Sequence, residues 1–152
     1  MRRKDKEITE LQRIEEIMRR AKVCRLGLSR GNRPYIVPLS FGYAEKTLYF
    51  HSAPEGEKLT IMRENSAACF EIDLDVEEVK GDNPCNWSMR YQSVVGFGEV
   101  SFIEDPAAKT KALAQIIGHY TQDGYELSDE AVQGLTVFQL KIESMTGKKS
   151  KI

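Results

Sequence analysis

Apolar and polar positions change period several times along this chain. Leu11, Ile14, Ile17, Met18 and Ala21 recur at three- and four-residue spacing, which predicts an amphipathic helix over 9–21 with Thr9 and Gln12 as a capping box. The period then shortens to that of extended chain. "VCRLGLS" (23–29), "PYIVPLSFGY" (34–43) and "LYFHSA" (48–53) read as three strands in a meander, joined by turns at "RGNR" and "AEKT". Pro38 cannot donate to a sheet ladder, so its strand belongs at an edge or carries a bulge. "PEGEKLTIMREN" (54–65) predicts a short helix. A fourth strand, "AACFEIDL" (67–74), follows. Residues 75–87 are polar and rich in breakers, which predicts an irregular loop able to rim a pocket.

"SMRYQSVVGFGEVSFIE" (88–104) predicts a long strand. Gly96 and Gly98 share one of its faces, where they anticipate a bend or a close backbone approach. Asp105 and Pro106 open a helix to Tyr120 as N-cap and first residue. "SDEAVQG" (128–134) allows a short helix, and "LTVFQLKIESMTG" (135–147) alternates as a last strand. Six short strands joined mostly by hairpins, with flanking helices, predict an α+β chain built on a six-stranded antiparallel barrel. No internal repeat or linker divides it, so residues 1–152 are expected to form a single domain. Residues 1–8 and 148–152 are expected to be flexible ends.

Composition removes several functions. A net charge of −1 gives no basic excess for nucleic acid. No apolar run reaches the ~20 residues of a membrane span, and the charged N-terminus lacks a signal-peptide core, so a cytoplasmic protein is expected. Cys24, Cys69 and Cys85 are widely spaced and suggest neither a zinc site nor a disulfide framework. Cys85, in the polar loop, is the one with a chance of reactivity. His51 and His119 stand far apart, with no HExxH, P-loop, GxSxG or GxGxxG, so no metal site is expected. His119, near a helix end, suits the terminal carbonyls.

The chemistry-bearing stretch is "YFHSAPEGEKL" (49–59). A phosphate needs backbone N–H groups at a helix start, a hydroxyl and a cation, and Ser52, the 54–58 turn and Lys58 offer all three. Glu55 and Glu57 in the same turn fit as partners of the helix dipole, so the local residues by themselves favour a plain strand-to-helix corner.

"RPYIVPLSFGY", "LYFHSAPEGEKLTIMREN", "CNWSMRYQSVVGFGEVSFIEDPAAKTKAL" and "ESMTGKKS" resemble the pyridoxamine 5′-phosphate oxidase-related flavoproteins, and more narrowly their nitroimidazole-resistance branch. The resemblance implies a split β-barrel binding FMN at a homodimer interface. Val37, Pro38, Leu39 and Ser40 would line the isoalloxazine. His51, Ser52 and Ala53 would follow beside it, with Ser52 and Lys58 on the phosphate. Arg90, Gln92, Ser93 and Val94 would come from the partner subunit. Glu57 stands where pyridoxamine phosphate oxidases carry a basic residue, and the second strand lacks their basic run. Lys58 is then the main cation, with Arg90 or Arg63 as helpers. The implied activity is FMN-dependent reduction of nitroaromatic or similar small electrophiles, with His51 as catalytic proton donor and a nicotinamide nucleotide or a protein as electron source. Tyr35, Phe41, Tyr43, Trp87 and Tyr91 are candidates for the substrate pocket. The alternatives are a flavin-binding electron-transfer or storage protein, a pyridoxamine 5′-phosphate oxidase proper and a haem-binding split barrel with His51 as axial ligand.

Overall fold

A computed structural model describes residues 3–151. One antiparallel sheet dominates it. The elements in chain order are β1 (Glu7–Ile8), α1 (Leu11–Arg20), β2 (Cys24–Arg30), β3 (Arg33–Leu39), β4 (Gly42–Ala44), β5 (Thr47–Ser52), α2 (Glu57–Glu64), β6 (Ala67–Val79), β7 (Ser88–Phe102), α3 (Pro106–Tyr120), α4 (Asp129–Gln133) and β8 (Thr136–Ser150). The strands pair in the order β3-β2-β6-β7-β8-β5-β4, with β1 added to β8. The two edge strands, β3 and β4, are separated in the chain only by Ser40 and Phe41. Three peptide steps reach at most about 11 Å. The sheet must therefore roll until its edges meet, and no ladder joins them across the seam. This is a split barrel.

Alternation puts the expected side chains inside. Cys24, Leu26 and Leu28 of β2, Leu48 and Phe50 of β5, and Phe138 and Leu140 of β8 are buried in one core. Phe50 and Phe138 stack with ring centroids 5.3 Å apart. Ile14, Ile17 and Met18 seal the core from α1. A second, smaller cluster under α3 and α4 holds Leu113, Ile116, Val132 and Val137.

The structure corrects several sequence expectations. Eight strands replace six, because β4 separates from the 34–43 run at Ser40–Phe41 and Glu7–Ile8 pairs with Lys148 and Gly147. That pairing also makes strands of ends expected to be flexible, since Lys148–Ser150 continue β8 beside Tyr91–Ser93. Residues 1, 2 and 152 lie outside the described residues. Residues 75–79 of the expected 75–87 loop are strand: β6 continues past an irregularity between Leu74 and Glu77 and pairs with β7 to its end. Helix α1 starts at Leu11 without a side-chain cap, so Thr9 and Gln12 form no capping box. Asp105 caps α3 as expected, accepting the Ala108 N–H at 2.8 Å. The paired glycines also behave as expected. A Cβ at Gly96 would collide with the Phe70 ring, and one at Gly98 with the Lys141 carbonyl, where the β7–β8 register shifts.

Candidate functional site

Strand β5 splits its residues between two faces. Leu48, Phe50 and Ser52 turn to the core, while Thr47, Tyr49 and His51 take the other side. His51 sits opposite Val137 of β8. Its Nδ1 is buried and has no hydrogen-bond partner among the described residues. Folded proteins rarely leave such an atom orphaned, because the lost hydration goes uncompensated. The Ser52 hydroxyl is buried and donates to the Ala53 carbonyl at 2.9 Å.

The chain then turns outward through exposed Ala53–Gly56. Gly56, with φ 142°, is the N-cap of α2, a conformation that L side chains rarely adopt. No side chain caps this helix, so its first N–H groups open outward. A Cβ on Gly56 would lie 3.6 Å from the Lys58 Nζ, so the ammonium folds back over the helix start. Among the described residues Lys58 makes no ion pair with Glu55, Glu57 or any other carboxylate. An uncapped helix start, a side-chain-free approach and an unneutralised ammonium are what a phosphate requires. Sequence reading placed Pro54 in the first helical turn. The glycine two residues later takes the decisive conformation, and "PEGE" carried that signal.

The seam brings a second segment to this corner. Strand β3 pairs only with β2, through Leu26↔Val37, Arg25↔Pro38 and Cys24↔Leu39, so Pro38 does lie on an edge strand. Val37 and Leu39 pack on the core, and Pro38 and Ser40 are exposed. Strand β4 begins at Gly42, paired with Tyr49, so Ser40 precedes β4 at the end of β5 that carries His51. Residues 37–40 and 51–58 therefore share one end of the barrel.

Arg90–Val94 do not join them within one chain. The Ile103 N–H bonds the Val137 carbonyl, level with His51, and Val94 lies nine residues back along β7. At about 3.3 Å per residue that is roughly 30 Å of strand. Val94 is wholly buried in the core. Gln92 is buried and donates to Asp75 Oδ2 at 3.0 Å, Ser93 is buried, and Arg90 pairs with Glu77 at 3.3 Å. Arg63 lies over the Phe102 ring, 5.1 Å from its centroid.

Other candidates resolve into structure. Phe41 is fully buried, and buried Tyr43 donates to Glu15 Oε1 at 3.0 Å. Trp87 is exposed and donates to the Gly81 carbonyl. His119 bonds the Ala21 carbonyl at 2.7 Å rather than its own helix end, fastening α3 to the corner before β2. Burial pushes the Cys24 thiol far up, which silences it as a nucleophile, while Cys85 is exposed. No metal-binding cluster of three His, Cys, Asp or Glu exists among the described residues. No described helix is long and apolar enough to cross a membrane.

The pyridoxamine 5′-phosphate oxidase family matches residues 10–149. A candidate 5-nitroimidazole antibiotic resistance protein from Bacteroides thetaiotaomicron is 40% identical, with a TM-score of 0.83, over 93% of this chain and 85% of its own. The flavocytochrome Anf3 from Azotobacter vinelandii is 17% identical, with a TM-score of 0.86, over 100% of this chain and 72% of its own. An FAD- and heme-binding protein from Mycobacterium smegmatis is 20% identical, with a TM-score of 0.84, over 97% and 74% respectively. These last two share the fold. No curated protein matches.

Proposed function

This chain belongs to the pyridoxamine 5′-phosphate oxidase family, and from that premise we propose that it is an FMN-dependent oxidoreductase working as a homodimer. The carrying observation is the corner at 51–58, where an orphaned His51 Nδ1 stands beside an uncapped helix start crossed by the Lys58 ammonium. These residues suit a flavin mononucleotide. Gly56, the first N–H groups of α2 and Lys58 would hold the phosphate, and Val37–Ser40 would flank the ring along the unpaired edge of β3. Bound flavin would supply the two-electron chemistry. The protein's part is to orient the ring, exclude water and hold a proton at His51 for the reduced substrate.

The outer face of the sheet supports the dimer. Ile36, Gly27, Cys69 and Phe97 fall in one register row across β3, β2, β6 and β7. Ile36 is 70% exposed and Phe97 55%, with Val95 exposed beside them. Gly27 leaves room for the Cys69 sulfur, which keeps the row flat. An apolar row in the middle of a sheet marks an interface. A second copy would cover it and carry residues 90–94 to the first copy's corner, which one chain alone does not achieve.

The 40%-identical Bacteroides protein directs the substrate reading toward nitroimidazoles and similar small electrophiles. An absorption spectrum of protein desalted after loading with FMN or FAD tests the cofactor. Steady-state reduction of a nitroimidazole by a nicotinamide nucleotide tests the activity. Retained FMN with turnover supports the proposal. Retained flavin with no turnover across donors means an electron-transfer or storage protein, and no retained flavin removes the proposal.

A further inference from the structure

Beyond the apolar row, the outer face of the sheet forms a groove of about 520 Å³. Its apolar wall comes from Val76, Met89, Tyr91 and Val95. Two cations face it. Arg25 is neutralised by Glu71, at 3.1 Å, and by Asp73. Lys148 is not neutralised: it makes no ion pair among the described residues, and its Nζ lies 5.3 Å from the centroid of the Tyr91 ring.

Lys148 is also held in place. It pairs with Ser93 on one side and Glu7 on the other. The next residue, Gly147, has no side chain, and a Cβ there would press on Ile8 and Ile14 at 2.9 Å each. Strand β1 and helix α1 therefore clamp the backbone beside Lys148. A half-buried lysine set over an aromatic ring on a fixed strand, forming no ion pair with Glu7 opposite it, is free to meet an external negative charge.

We propose that Lys148 completes the flavin site of the neighbouring protomer and favours the reduced flavin there. This rests on the flavin-bound homodimer described above. In that dimer the strand carrying Gln92 and Ser93 approaches the partner's flavin, and Lys148 is paired with Ser93 on the same outer face. Two electrons and one proton convert an oxidised flavin into a reduced form that is anionic near neutral pH. A cation beside the ring stabilises that form more than the neutral oxidised one, which raises the reduction potential. Charge on one subunit would thereby set the redox chemistry of the other.

The test is the midpoint potential of FMN bound to wild type, Lys148→Gln and Lys148→Arg, with light scattering to follow the dimer. The expected result is a lower potential in Lys148→Gln and a near-native one in Lys148→Arg, both proteins remaining dimeric. A tenfold loss of preference for reduced over oxidised flavin would appear as a drop of about 30 mV for a two-electron couple. An unchanged potential in a dimeric, flavin-loaded Lys148→Gln overturns this proposal and leaves the flavin reading standing. A monomeric Lys148→Gln also overturns it, because Lys148 would then be an interface residue. Wild-type protein that holds no flavin overturns the underlying reading as well.

Discussion

His51 leaves a nitrogen buried and unbonded, at a cost of about 1–3 kcal/mol for a typical polar group. The simplest compensation is a ligand that meets the imidazole. Replacing His51 with Ala should leave FMN bound after desalting and lower turnover by about a hundredfold, the smaller end of what a placed general acid contributes. Full activity in steady-state assays of this variant would reduce His51 to a packing residue. The other histidine makes a different prediction. Burial holds the His119 imidazole below its usual value, with the bond to the Ala21 carbonyl acting in the opposite direction. Between that depressed value and the ordinary one of about 6.5, the unfolded chain binds a proton that the folded chain does not. Stability should therefore rise with pH through this window and level off above it. His119→Gln should flatten the dependence of Tm on pH below about 6.5; an unchanged slope would place its origin elsewhere. Local chemistry made much of this scale readable. Asp105–Pro106 is a helix start in any context, and "EGEK" suggested a phosphate seat. Nothing in the sequence revealed that His51 would be left without a partner, because that depends on Val137 and the helices above it.

Among the elements, the strands that face the core were legible and those that do not were missed. Residues 75–79, "DVEEV", lie beyond the end of β2 in a ribbon paired only with β7, so no buried face imposes alternation on them. The lysine-rich end of β8 looked like a solvated tail for the same reason, although it pairs on both sides. The glycines of β7 were read correctly because their spacing places them on one face. Gly98→Ala should lower stability by about 1–3 kcal/mol in urea unfolding, as its methyl group has no room against the Lys141 backbone. Gly118→Ala is the matched control: it lies within α3 with no atom in contact range, and should be neutral or gain up to about 1 kcal/mol. Equal behaviour of the two variants would remove the close approach as the reason for Gly98.

At the scale of the whole molecule, the proposed site is divided between distant parts of one chain. Its corner supplies one cation and one helix start, while Gln92 and Ser93 lie some 30 Å away along the same chain. Symmetry resolves this if the exposed Ile36–Phe97 row meets its own copy. Phe97→Asp should therefore give a folded monomer by light scattering and lose FMN at micromolar protein. A flavin-loaded monomer would refute the interface. An antiparallel barrel could be anticipated from the order of strands and hairpins and its split form from the family resemblance, whereas its seam at Ser40–Phe41 could not, since Phe41 reads as strand and only the closure of the sheet breaks the ladder there. The most direct measurement compares the affinities of FMN and riboflavin, which differ by the phosphate alone, for wild type and Lys58→Ala. The expected result is much tighter FMN binding by wild type, with most of that advantage, roughly 1.5–3 kcal/mol for a charged hydrogen bond, lost in Lys58→Ala. Equal binding of the two flavins by wild type would contradict the phosphate seat at Gly56–Lys58.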